Sequence, residues 1–102
     1  MEAGATPLHI ASYQGHAAVV GLLFAGKGVE VNEPVRVASR HSPLTIAAFM
    51  GHARVCELLL RHGADSRYRA EPLSGTEFDT AGGTALDIAR EKGQSGVVHV
   101  LR

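Results

Sequence analysis

A single cysteine, Cys56, excludes a disulfide within the chain and fits a reducing compartment. Charge of either sign is also not in excess, because ten Lys and Arg residues balance ten Asp and Glu residues. That balance gives no electrostatic reason to expect nucleic acid or an anionic membrane as partner. The six histidines shift it only in mild acid. No apolar run approaches the ~20 residues of a membrane span, and Glu2-Ala3-Gly4-Ala5 after Met1 is not a charged-then-apolar export signal. Cytosol or nucleus is the expected setting. The spacings of familiar chemistry are missing too: no Cys/His ligand set, Ser-His-Asp set, phosphate loop or paired-carboxylate site stands out. The expectation is a chain that is not an enzyme, with no metal, no cofactor and no small-molecule substrate.

What the chain does have is one phrase in three copies. Thr6-Pro7-Leu8-His9-Ile10-Ala11 returns as Ser42-Pro43-Leu44-Thr45-Ile46-Ala47 and again as Thr84-Ala85-Leu86-Asp87-Ile88-Ala89. Each copy is followed at one distance by a glycine, Gly15, Gly51 or Gly93, and then by an apolar run. A period of this size signals a stacked repeat array, whose core is buried between neighbouring repeats. Within each repeat the pattern reads helix, tight turn, helix. Thr6, Ser42 and Thr84 can cap a first helix, with Pro7 and Pro43 at its first position, where no amide donor is needed. The glycine then stops that helix.

In repeat two, Arg54, Glu57 and Arg61 form a wet stripe on the second helix, while Val55, Cys56, Leu58 and Leu59 face the core. The same stripe in repeat one is Ala18, Gly21 and Ala25, so that helix has no charged outer face. Gly21 alone should weaken it by ~1 kcal/mol relative to alanine. Cys56 falls in the core-facing run and reads as a buried, inert thiol rather than a nucleophile.

The residues Gly4-Ala5-Thr6-Pro7-Leu8-His9-Ile10-Ala11, Gly15-His16, Leu22-Leu23 and Val29-Glu30-Val31-Asn32 resemble the ankyrin repeat. Repeat two resembles it through Pro43-Leu44, Ala47-Ala48, Gly51-His52, Leu58-Leu59-Leu60 and Gly63-Ala64-Asp65. Against the usual period of about 33 residues, the first spacing is longer by three and the second by nine, the latter all in the 66–83 connection. The expected fold is therefore an all-α solenoid: one domain over 1–102, of stacked helix-turn-helix repeats with short β-hairpin-like fingers, in an elongated, slightly curved array. Repeat 1 covers about 4–36, repeat 2 about 37–69 and repeat 3 about 82–102, with an insertion at about 66–82. The third copy, with Ala85 and Asp87, looks like a closing repeat. The first, opening without a finger and without polar cap residues, looks like the cut end of a longer array or an end that another chain covers.

The resemblance implies a protein-binding module that grips its partner with a concave face of fingers and first helices. Carried over position by position, the residues that touch a partner are Ala5, His41 and Gly83 before the phrase, and Tyr13 with Gln14, Phe49 with Met50, and Glu91 with Lys92 before the glycines. The expected site comprises Tyr13, Phe49 and Met50 as apolar anchors, Gln14 beside them, Arg40 and His41 on the finger, and Glu91 and Lys92 at the edge. Phe49 and Met50 read as exposed rather than core, because Ile46, Ala47 and Ala48 already supply the inward side of their helix. His9, His16 and His52 fall where the family places histidines that hydrogen-bond between loops and repeats, and His62 suits a helix C-terminus. Partner contact and plain exposure stay equally open for His41. The 66–83 connection, with Tyr68 and Phe78, is either a second contact or mobile. The competing reading is structural: a piece of a longer array that packs against its own further repeats or self-associates through repeat one.

Overall fold

Helix entry is controlled by the same device in all three repeats, carried by three different residues. Thr6 caps α1 (Pro7–Gln14), its hydroxyl accepting from the His9 amide while the Thr6 amide donates to His9 Nδ1 at 3.0 Å. Thr84 caps α5 (Ala85–Glu91) in the same way, with the Asp87 carboxylate receiving the Thr84 amide at 3.1 Å. Ser42 caps α3 (Pro43–Met50) by accepting from the Thr45 amide, and the Thr45 hydroxyl donates to the Ser42 carbonyl. In all three repeats the cap hydroxyl thus satisfies an amide that the helix leaves orphaned, while the residue three places on returns a bond to the cap amide from His9 and Asp87 and to the cap carbonyl from Thr45.

The computed structural model describes residues 6–26, 29, 31–32, 41–75 and 79–102. Ala5, Arg40 and Phe78, all singled out above, lie outside the described residues. The other helices are α2 (Ala17–Ala25), α4 (Ala53–Arg61) and α6 (Ser95–Leu101), each following its first helix through a tight turn. The first helices stack α1 on α3 on α5, and the second helices stack α2 on α4 on α6, giving two layers of three. Between the layers lie Leu8, Ala11, Val20, Leu44, Ala47, Ala48, Val55, Cys56, Leu59, Ala85, Ala89 and Val97. Burial pushes the Cys56 thiol up to about 12, with the neighbouring Glu57 carboxylate adding to the effect.

The turn at Gly15 shows why glycine stands there. Its φ of +75° is a left-handed conformation, and a Cβ on it would lie 2.6 Å from the imidazole of His52 in the next repeat. The elongated array expected from the sequence is corrected by the dimensions, 35 × 31 × 21 Å. Helices stacked at about 8–10 Å need many repeats before stacking length exceeds repeat width. Three are too few.

The long connection folds back on itself. Ala70 pairs antiparallel with Gly83 and Leu73 with Thr80, each pair exchanging two backbone hydrogen bonds of 2.8–2.9 Å. The extra residues therefore lengthen a finger that ends against α5. An earlier link is made by Asn32, whose amide group donates to the Gly63 carbonyl and accepts from the Asp65 amide at 2.6 Å.

Candidate functional site

Tyr13 and Phe49 occupy one position in successive repeats, in the last turn of α1 and α3, where backbone carbonyls have no partner within the helix. The following repeat supplies one. His52 Nε2 donates to the Tyr13 carbonyl at 3.0 Å, and Gln94 Nε2 donates to the Phe49 carbonyl at 2.9 Å. These bonds hold the helix ends that carry the two aromatic side chains at a set spacing. Both side chains are half-buried, as is Met50, while Gln14 is exposed.

Around Phe49 the structure brings together two further residues expected from the sequence, His41 and Lys92. The His41 ring meets it edge-on with centroids 6.5 Å apart, and the Lys92 ammonium lies 5.0 Å from its centroid. A cation over an aromatic face gains electrostatically from the ring quadrupole. Residues from the segment before α3, the end of α3 and the end of α5 thus converge on one ring. His41 Nδ1 is also 3.0 Å from the Thr45 hydroxyl, in the first turn of α3. Burial brings the His41 pKa down to about 4, so its ring is neutral near pH 7 and Lys92 carries the positive charge of the cluster.

Glu91 is oriented differently from its neighbour Lys92. Its carboxylate accepts from the Thr80 hydroxyl at 2.6 Å and from the Ala81 amide at 3.0 Å. Those two bonds, the Thr80 one first, hold the carboxyl below its ordinary range. The residue is a clamp on the long finger. Asp87 works beside it on the same helix: bonds from the Thr84 amide and hydroxyl lower its pKa, and Arg69 Nη1 stands 3.6 Å away. That ion pair is exposed on both sides and adds little.

Sequence reasoning did not single out Thr80 and Ala81, the finger groups held by Glu91. Their signal is weak, because nothing in the pattern of residues 66–83 announces the register of the hairpin. The sequence points to an uncapped end at repeat one without naming its exposed residues, and there Ile10, Val19 and Leu22 are large, apolar and exposed. No helix among the described residues is long and apolar enough to cross a membrane.

Comparison with known proteins agrees with this architecture. Residues 8–102 match the family model described as ankyrin repeats in three copies. No curated protein matches the chain significantly. Among solved structures, the crystal structure of the human ASB11 ankyrin repeat domain superposes with a TM-score of 0.73 at 31% identity. The match covers 95% of this chain and 38% of that one, so the chain spans well under half the length of the domain it resembles. With three copies of the motif, two stacked helical layers and a family match across nearly its whole length, the chain belongs to the ankyrin repeat family.

Proposed function

We propose that this chain binds a partner protein through the face on which Tyr13, Phe49, Met50 and Lys92 lie. Ankyrin repeats are in general protein-interaction modules rather than catalysts, and the finer statement concerns which residues do the work here. The supporting observation is Phe49 itself: half-buried, flanked edge-on by His41, with Lys92 over its face and its carbonyl held by Gln94. An aromatic side chain fixed in this way loses little freedom on binding, which is the usual economy of an interface anchor. Met50 beside it offers an adaptable apolar contact, and Lys92 offers a charge for an acidic group on the partner. Arg40, Gln14 and Tyr13 extend the proposed contact, and Glu91 supports it by holding the finger. The test is affinity for a purified partner with folding checked by circular dichroism. Phe49→Ala should weaken binding at least about tenfold, the range of an interface anchor. A folded Phe49→Ala variant with unchanged affinity places the contact elsewhere.

A further inference from the structure

The chain is electrically balanced as a whole but not in its third repeat. Between residues 90 and 102 it carries Arg90, Lys92, His99 and Arg102 against a single carboxylate side chain, that of Glu91. Glu91 is committed to Thr80 and Ala81 on the long finger, and Lys92 turns to the Phe49 ring. The remaining three, Arg90, His99 and Arg102, are exposed and line one open groove of about 440 Å³ between the end of α5 and the length of α6. Buried Ala89 and half-buried Val98 supply its apolar floor, and Ser95 stands at its edge. Among the described residues no Asp or Glu side chain lines it, and neither does Tyr13, Phe49 or Lys92. Asp87, one turn back on α5, feels the charge of Arg90 but is already bonded by the Thr84 amide and stands 3.6 Å from Arg69.

These charges belong to the third repeat alone. The position of Arg90 is Ser12 in repeat one and Ala48 in repeat two, both fully buried. That of Arg102 is Phe24 and Leu60, which pack against the core, and that of His99 is Gly21 and Glu57. None of the six is basic. On α4 the outer charges balance, Arg54 standing 3.6 Å from Glu57, whereas α6 contains no acidic residue. An apolar element laid over the groove would desolvate Arg90 without pairing it, which is costly. An acidic one would pair it.

We propose that this groove is a second docking site, separate from the Phe49 face, for a short acidic segment of a partner protein. Its carboxylates lie on Arg90 and Arg102, and an apolar side chain between them rests on Ala89 and Val98. A guanidinium presents parallel donors that match a carboxylate, and the groove is of a size that takes a small ligand or a few side chains. Nucleic acid and anionic membrane fit the same charges less well. Their binding rests on roughly 6–10 phosphate contacts or on clusters of about 4–8 basic residues, and this groove offers three basic side chains in a chain of zero net charge. The apolar floor, for its part, gives nothing to a bare phosphate.

The test is an amide NMR titration of the full chain with end-blocked peptides. Glu-Glu-Leu-Glu-Glu should shift the amides of Gly93, Ser95 and Val98 saturably, and the neutral Gln-Gln-Leu-Gln-Gln should not. Arg90→Gln and Arg102→Gln, with folding checked by circular dichroism, should each weaken the acidic peptide about threefold, the range of an exposed charge pair. Together they should weaken it about tenfold, as separate contacts add. Glu-Glu-Gly-Glu-Glu should bind at least about twofold more weakly than the leucine peptide. Equal binding of the neutral peptide, or unchanged affinity in both folded variants, overturns the proposal. Inorganic phosphate or the glycine peptide binding as tightly as the leucine peptide makes the groove a bare anion site and also overturns it. So does saturable binding to phosphatidylserine vesicles that Arg90→Gln abolishes, which assigns the groove to a membrane. Phe49→Ala should bind the acidic peptide as the parent chain does, so failure here leaves the Phe49 face standing. Loss of the peptide in a folded Phe49→Ala variant moves the acidic contact to that face and overturns the second site.

Discussion

His52 Nε2 lies 3.0 Å from the carbonyl oxygen of Tyr13, 39 residues earlier, and the same ring sits directly over Gly15. One side chain therefore ties the second repeat to the end of the first helix and fills the space above its terminating turn. Gln94 repeats both contacts one repeat later, on Phe49 and Gly51. His52→Ala removes the donor and leaves the Tyr13 carbonyl without it, a cost of about 1–3 kcal/mol when the group is shielded from water. Because glutamine serves in the third repeat, His52→Gln should recover most of the loss. Urea unfolding of the two variants checks both statements, and equal destabilisation by Ala and Gln would refute the hydrogen-bonding role.

His41 carries a second prediction, in pH. Its folded pKa is about 4 and its ordinary value 6.5, because desolvation of the half-buried ring disfavours the charged form. Between those two values the unfolded chain binds a proton that the folded chain does not, so stability rises with pH across the window. The contribution from His41 is full above pH 6.5 and is lost progressively as pH falls toward 4. His41→Phe keeps a ring beside Phe49 and removes the titration. It should flatten the stability profile between pH 4 and 6.5 relative to the parent chain, while the NMR titration of the parent His41 ring should show its midpoint near 4. A midpoint near the ordinary histidine value would contradict its burial.

A third prediction concerns the long finger. Glu91 accepts from Thr80 and Ala81, so Glu91→Ala releases the strand that pairs with residues 70–73. Amide exchange should quicken at Ala81 and at the paired Thr80 and Leu73 by about tenfold, the equivalent of ~1.4 kcal/mol of local opening. Amides of α3 should be unaffected. In the parent chain the same bonds hold the Glu91 carboxyl below its ordinary value, so its contribution is present near neutrality and is lost as pH falls through that lowered pKa. Exchange that does not change in Glu91→Ala would show that the hairpin holds itself.

The helix pairs were legible because their determinants are local. Thr6, Ser42 and Thr84 announce caps, Gly15 and Gly51 announce stops, and the apolar positions between them recur at fixed offsets. The position of Cys56 in the core followed from the same periodicity. The hairpin of residues 70–83 was not legible, since its register depends on a carboxylate from α5 that no local pattern reveals. For the same reason the repeat position of Glu91 reads only as one end of a contact stripe, and its hold on Thr80 and Ala81 becomes visible in the folded finger. The uncapped end of repeat one was legible, but which of its side chains are exposed was not, because Ile10, Val19 and Leu22 resemble their buried counterparts. What differs is which neighbour is stacked against them. The array's proportions escaped for a geometric reason, as repeat count rather than repeat chemistry sets them.

The last prediction comes from Gly21, in the middle of α2 and exposed on the stripe with Ala18 and Ala25. Its backbone is helical, so it has none of the left-handed need that fixes Gly15. A Cβ built on it meets no atom within 4 Å. Glycine here costs the helix backbone entropy and returns no close packing, and Gly21→Ala should therefore stabilise the chain by about 0.5–1 kcal/mol. Gly21→Glu restores the charge that Glu57 supplies on α4, and should stabilise less than alanine but improve solubility. Chemical unfolding of the two variants measures this directly. A loss of stability in Gly21→Ala would mean that the α2 stripe is a packing surface, because only a neighbour pressed against Gly21 could turn an added methyl group into a clash.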